Sequence, residues 1–338
     1  THKDRDYLET KLGGIIEIYR KFVGDDPCET PMKIFPGVHY SMGGLWTTYT
    51  AGRDLDRVKS GELHLDADPS QWDPDERPAL GLKLGAPDSM MTNIRGLYAF
   101  GEVNYQYHGG TRLGANALLS CIFAGLFCGL GVANYVREDV EQSALELDQT
   151  LFDDAVAREE EKARELVEGD GTENPYEIGK AMGDEMTAAA TVVKTGPRME
   201  QALERIRELA DRAKRLNLSD TGMWSNANLS YARSVPDMLA LAEVILVGGI
   251  ERKESRGSHY RTDYPERDDA NFLKTTVVQY DASTDRPKFW FEEVETGIVE
   301  PRARTYGKTE PAKTTTNGAD SQAVAKGDPL PTSASTPV

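Results

Sequence analysis

The chain has 338 residues, 39% hydrophobic and 28% charged, with a formal net charge of −17. Such a length fits roughly two domains around a sizeable core, and the composition is that of a globular protein, not a disordered one. The acidity argues against a nucleic-acid partner, which needs a basic footprint, but not against an anionic substrate, which needs only local positive charge.

In chain order, residues 3–23 read as an amphipathic helix with Leu8, Leu12, Ile15, Ile16, Tyr19 and Phe22 on one face. A Pro-containing connector over 26–36 and a short Gly-rich aromatic stretch over 37–49 follow. Residues 51–90, centred on DADPSQWDPDERP, are acidic and turn-rich and read as a surface excursion. The run Gly96-Leu97-Tyr98-Ala99-Phe100-Gly101-Glu102 predicts a short buried strand, and a Gly-rich loop over 108–114 leads into residues 117–136, which carry no charge. That run has the length of a membrane span, but Ser120, Asn134 and glycines 125, 129 and 131 favour a helix buried in a large domain. Helical spacing recurs over 138–168, 175–194, 198–215 and 228–250. Short links predict an antiparallel bundle, with Pro236 starting or kinking its last member. Thr275–Tyr280 and Lys288–Glu292, separated by DASTDRP, predict a β-hairpin, and the Thr/Ser/Pro/Gly/Ala composition beyond Gly307 predicts a disordered tail.

Cys28, Cys121 and Cys128 form no CxxC pair. An odd count argues against a disulfide framework and for a reducing compartment, and the thiols are too few for an iron–sulfur cluster. Cys121 and Cys128, seven apart on the uncharged helix, read as core thiols. His259 reads as structural, and His2 and His64 as incidental. The first residue is Thr1 with no signal peptide after it, which reads as a processed or partial chain.

Two segments carry the chemistry: His39-Tyr40-Ser41-Met42-Gly43-Gly44, and Gly101-Glu102 followed by His108-Gly109-Gly110-Thr111-Arg112-Leu113-Gly114-Ala115-Asn116-Ala117-Leu118-Leu119. Taken singly they are ambiguous. A His before Met-Gly-Gly is commonly a turn residue, and a glycine loop opening a helix is a common anion or cofactor site, because free N–H groups and the helix dipole point there.

Together, and in order with Leu218-Ser219-Asp220-Thr221, Glu254-Ser255-Arg256-Gly257-Ser258-His259-Tyr260 and Asp263-Tyr264-Pro265-Glu266-Arg267-Asp268-Asp269, they resemble the flavoprotein subunits of succinate dehydrogenase and fumarate reductase. The resemblance covers about 1–50 and 90–306 and implies an α/β plus α fold. Residues 1–36 would end a capping domain, and 37–136 would be the C-terminal part of a Rossmann-like FAD-binding domain, with 51–90 an acidic insertion. Residues 137–256 would be the helical bundle, 257–306 a β-containing region, and 307–338 the tail.

The resemblance implies FAD as cofactor and succinate or fumarate as ligand. It aligns His39 with a histidine that binds one substrate carboxylate and Arg112 with an arginine that binds the other, a task suited to a planar, permanently charged fork. Glu102 aligns with an acid that contacts FAD, and Ala117 and Leu118 with backbone that approaches the flavin ring; His108 would line the site. No metal ligand and no catalytic base is assigned: the family's proton-transferring arginine is expected upstream of residue 1, as are the GxGxxG fingerprint and the flavin-linking histidine. Neither Arg5 nor Arg20 is promoted to that role.

The implied activity is oxidation of succinate to fumarate, with hydride transfer to FAD and electrons passed to an iron–sulfur subunit on a cytochrome b membrane anchor. That would make the chain peripheral on the cytoplasmic face of a bacterial inner membrane. The alternatives are fumarate reductase, an L-aspartate oxidase-like enzyme, or a non-catalytic assembly module; the ERDDANFLKTT continuation and hairpin weigh against the oxidase. On this reading residues 1–338 alone neither retain FAD nor turn over succinate.

Overall fold

Helix-forming signals in the sequence are closed by side-chain caps at almost every start. In the computed structural model, which describes residues 4–33, 39–52, 54, 56–57, 60, 62, 81–138, 147–296 and 301, the first helix α1 (Arg5–Val23) begins where the Asp4 carboxylate accepts from the Tyr7 amide and ends at Gly24, whose φ of 85° closes the last turn. Helix α2 spans Asn116–Glu138, α3 Gln149–Glu168, α4 Pro175–Ala190, α5 Gly196–Ala213 and α6 Ala227–Glu251. Asp148, Asn174, Thr195 and Asn226 cap α3 to α6 through their side chains, each accepting from one of the amides that helix geometry leaves unpaired.

The core lies among α4, α5 and α6, which pack pairwise, with α3 adding Ala163 and Val167 against α6. Ile178, Met199, Ile206, Leu209, Leu239 and Leu246 are fully buried there. Pro236 lies inside the unbroken α6, so it starts no helix; the missing amide costs one internal bond that the packing on α4 and α5 tolerates. Residues 139–146 of the expected 138–168 helix lie outside the described residues, and α3 begins only at Gln149.

After α6 the chain enters a charged loop that fastens the bundle's ends. The Arg261 guanidinium donates to the carbonyls of Gly249, Ile250 and Arg252 and pairs with Asp263, whose carboxylate accepts from the Gly196 amide. One buried arginine thereby caps the C-terminus of α6, and its partner acid caps the N-terminus of α5, each with the charge that the helix dipole favours. Burial alone would raise the Glu254 pKa, but hydrogen bonds from Arg256, the Asp268 amide and Arg252 outweigh it and hold the acid below its ordinary value. The four-residue helix α7 (Asp269–Phe272) leads into β1 (Lys274–Asp281) and β2 (Arg286–Glu293). These pair antiparallel with Val277 opposite Trp290 and Val278 opposite Phe289, as the hairpin pattern requires.

Four expectations need correction. The stretch 96–102 is not a strand: Gly96 and Gly101 sit at φ 83° and 67°, a backbone no strand continues through, and only a Met91–Tyr98 bridge and a single 3-10 turn over Gly101–Val103 form. The hairpin is the only sheet among the described residues, which are otherwise mainly helical. Helix α2 is not buried: only Ser120, Ala124, Cys128 and Gly131 along one line are covered, while Leu118 is 75% exposed and Leu126 70%. Cys121 is exposed with them; Cys128 is buried as expected. In α1 only Ile16 of the expected apolar face is buried, and Phe22 is 86% exposed.

The ends of the acidic stretch are joined by an Ala51–Leu82 bridge and by bonds from the Gly52 amide to the Gly81 carbonyl and from the Lys83 amide to the Thr50 carbonyl. Most of 53–80 lies outside the described residues, as do the tail from 302, His2 and His64. A separate unit, Val299–Val338, is described only at residue 301.

Candidate active site

Four short segments meet around Tyr40. The 39–44 segment is set by glycine: Gly44, at φ 145°, passes so close to Val103 that a β-carbon would sit 2.2 Å from its carbonyl oxygen. The Leu45 amide donates to that same carbonyl at 2.7 Å, and the Ser41 amide donates to Glu102 at 2.8 Å. Beneath them the buried Asn104 amide donates to the Thr47 hydroxyl and to the Ala99 carbonyl. Glu102 is therefore tied by hydrogen bonding to the residue after Tyr40.

The third segment is the loop 107–112. His108 meets the Tyr40 ring edge-on at 5.2 Å, and the Arg112 guanidinium lies over the same ring at 5.0 Å. Burial, then the Arg112 charge, lowers the His108 pKa, so its imidazole stays neutral at ordinary pH. Burial first, then the Glu102 and Cys121 side chains, raise the Tyr40 pKa. Tyr107 beside them is pushed up to about 12, chiefly by burial. The Tyr40 hydroxyl lies against Ser120 without closing a hydrogen bond to it; the Ser120 hydroxyl donates instead to the Ala117 carbonyl at 2.7 Å.

The fourth segment is the start of α2. Ala115 precedes it at φ 66° and has no side chain that could cap it; the Asn116 amide turns back to the Leu113 carbonyl at 3.3 Å. Ala117 is half-buried and Leu118 exposed at this end. Gly101 fits here because a β-carbon would come 2.7 Å from the Cys121 sulfur. His39 is exposed at the segment's outer end, beside the cluster in sequence but not in its ring contacts.

The far side of the loop is fastened to the C-terminal region. The Ser258 amide donates to the Gly110 carbonyl at 2.9 Å, and Gly257, at φ 60°, would drive a β-carbon to 2.2 Å from that oxygen. A cavity of about 460 Å³ lies between these loops and the hairpin, bordered by Met42, Trp46, Arg256, Phe272 and Val277.

Known proteins resemble the chain in sequence and in fold. A fumarate reductase flavoprotein C-terminal model matches residues 179–306, and an FAD binding domain model matches residues 1–59. The chain is 42% identical over 313 residues to the succinate dehydrogenase flavoprotein subunit of Bacillus subtilis, covering 93% of this chain and 47% of that protein. It belongs to the succinate dehydrogenase and fumarate reductase flavoprotein family. The fumarate reductase flavoprotein subunit of Haemophilus influenzae is 30% identical over 90% of this chain and 44% of its own length. Among solved structures, Escherichia coli quinol fumarate reductase superposes with a TM-score of 0.66 at 27% identity, over 87% of this chain and 43% of that one. The chain spans about half the length of the curated relatives it matches.

This is a flavin-dependent oxidoreductase family, and its cofactor is FAD. The residues present fit that group. Buried His108 Nε2 and Arg112 Nε have no hydrogen-bond partner among the described residues, and the start of α2, with Leu118 exposed, adjoins them. Such groups are costly to leave unmet, and a bound ligand is one way to meet them. Motif reading passed over Tyr40, although it sits next to His39, because an aromatic after a histidine carries no spacing signal. It also passed over the Gly257–Ser258 clasp, whose partner Gly110 lies 148 residues away from Ser258.

Proposed function

We propose that the chain is part of the flavoprotein subunit of a succinate:quinone oxidoreductase, the portion that supplies the dicarboxylate-binding loops and one wall of the flavin site. The observation that carries this reading is Arg112. Its guanidinium lies over the Tyr40 ring, pairs with no carboxylate among the described residues, and keeps a buried Nε without a partner. A fixed, unneutralised fork of this kind matches a carboxylate bidentately.

Arg112 holds one end of succinate and exposed His39 the other, while neutral His108 lines the space between. Glu102 and the backbone at Ala117 and Leu118 would hold FAD, whose two-electron acceptor chemistry is what the cofactor supplies when bound. The positive end of the α2 dipole favours negative charge developing at that end of the site. Arg5 and Arg20 both pair with Asp26, at 2.7 and 2.6 Å, and are left as structural. The proton-accepting arginine of the family is placed upstream of residue 1.

The word subunit in the relatives' names, and the exposed apolar residues of α1, α2 and α3, support an assembled protein. We read its partners as an iron–sulfur subunit and a membrane anchor, with the chain peripheral on the cytoplasmic face. Oxidation is favoured over fumarate reduction by the identity to the Bacillus subtilis dehydrogenase subunit.

The test uses the complex purified through a tag on this chain. Succinate-dependent dye reduction by Arg112→Gln should fall at least about 100-fold in kcat/KM, because a buried charge–carboxylate contact is removed. Activity within a few-fold of wild type would overturn the reading.

A further inference from the structure

The geometry points to Tyr40 as a positioning residue whose ring, rather than its hydroxyl, orients Arg112 and His108 for the dicarboxylate. The inference deepens the proposed function and rests on it. Arg112 has few other means of holding its direction. Among the described residues no carboxylate pairs with it, and its one side-chain hydrogen bond runs from Nη1 to the carbonyl of Leu113, the next residue, at 3.1 Å. What the guanidinium rests against is the Tyr40 face, 5.0 Å from Cζ to the ring centroid. A guanidinium held over an aromatic face by cation–π attraction keeps N–H groups free, and those are what a carboxylate needs.

The same ring meets the His108 imidazole edge-on at 5.2 Å with the planes 86° apart. One side chain therefore sets two candidate ligand-binding groups, one cationic and one neutral. Tyr40 is itself held from both sides. The Ser41 amide is bonded to Glu102, and behind His108 stand Tyr107, then Phe123 at 6.5 Å, then Phe127 stacked on it at 4.5 Å. The aromatic series runs down the first turns of α2, so the orientation of Arg112 is tied to the helix that borders the flavin side of the site.

The hydroxyl contributes little to this orientation. It closes no hydrogen bond among the described residues, so removing it breaks none. That separates the two parts of the side chain experimentally.

The experiment compares Tyr40→Phe and Tyr40→Leu in the purified complex. It reads KM and kcat for succinate, flavin content per chain, and the calorimetric Kd for malonate, a dicarboxylate with no CH2–CH2 bond to oxidise. Tyr40→Leu should raise both KM and the malonate Kd about tenfold, the scale of a partly desolvated cation–π contact. Its kcat should change less than about threefold and its flavin content not at all. Tyr40→Phe should stay within about twofold of wild type in every quantity, since the ring carries the effect. The inference is overturned if the leucine variant binds malonate like wild type, or if phenylalanine is as damaging as leucine. It is also overturned if leucine costs flavin content or kcat instead of affinity, which would make Tyr40 a packing residue. Failure of the wild-type complex to bind malonate at all would instead bring down the functional reading beneath it.

Discussion

Helices α6 and α2 are both long and rich in apolar residues, yet they end in opposite circumstances. Along α6, Leu229, Val235, Leu239 and Leu246 are buried against α4 and α5. Along α2, Leu118, Leu119, Ile122, Leu126 and Leu130 are exposed, and only a line of small residues is covered. The difference lies in what each helix faces. The bundle satisfies itself with residues close in sequence, whereas α2 rests its narrow Ser120–Ala124–Cys128–Gly131 line on the site loops and turns its broad face outward. Gly131 fits against the Ala86 carbonyl, where a β-carbon would sit 2.4 Å away, so this line is built for close backbone approach. A stable surface helix normally turns its apolar stripe inward. On the proposed function, the outward stripe on α2 is a face that bound flavin would cover.

The largest effect expected from this contrast is in packing. Leu209→Ala removes a fully buried side chain from the bundle and should cost about 2–5 kcal/mol of stability, read by denaturant unfolding of the chain. Leu126→Ala, on the open face of α2, should cost less than about 0.5 kcal/mol in the same chain. Equal costs would break the comparison, since they would mean that the α2 face is already packed in solution.

How much of this was legible beforehand follows the same division. The bundle and hairpin could be read because their signals are local: capping residues before apolar periodicity, and two β-rich runs around DASTDRP, which became the register Lys274–Glu293 through Asp281–Arg286. Of the motif residues, Glu102, His108 and Arg112 gather around Tyr40, while His39 stays outside the ring contacts. Residues 96–102 form no strand because Gly96 and Gly101, both at positive φ, interrupt the hydrophobic run. The burial of α2 failed because periodicity reports which residues are apolar, not what lies opposite them. The clasp between Gly110 and the Gly257–Ser258 turn leaves no local trace, as backbone pairing across such a separation depends only on the finished fold.

That clasp is the physical join between the two regions, and it supplies the next prediction. Gly257→Ala forces both a strained φ and a collision with the Gly110 carbonyl. It should destabilise the protein by about 1–3 kcal/mol and raise KM for succinate by loosening the 108–112 loop. Stability lost with KM unchanged would show that the site loop keeps its shape without the C-terminal region.

The smallest expected effect concerns acid. His259 sits behind the clasp, with Nε2 donating to the Arg252 carbonyl at 3.1 Å, so the neutral ring carries its proton on Nε2. Burial lowers its pKa first. The neighbouring charges of Lys194, Arg261 and Arg252 push the same way, against the hydrogen bond to the Arg252 carbonyl, which raises it. Lys194, itself lowered by burial, donates to the Thr191 and Ser258 carbonyls; Asp263, paired with Arg261, and Glu254, paired with Arg252 and Arg256, are the acids of the same loop. The folded His259 pKa lies below its ordinary 6.5, so the unfolded chain binds more protons as pH falls past that value, and stability must drop until the folded ring is also protonated. Glu254 and Asp263 have lowered folded values, so they stabilise above their ordinary 4.5 and 3.8 and lose that contribution only in stronger acid. Between about pH 6.5 and 4.5 the slope of Tm against pH therefore reports mainly on the buried histidines, His259 and His108. His259→Gln, which retains an amide donor for the Arg252 carbonyl and cannot be protonated there, should flatten that slope while leaving Tm at pH 7.5 nearly unchanged. A slope untouched by the substitution would assign the acid sensitivity to His108, and so to the site half of the molecule rather than to the bundle's clasp.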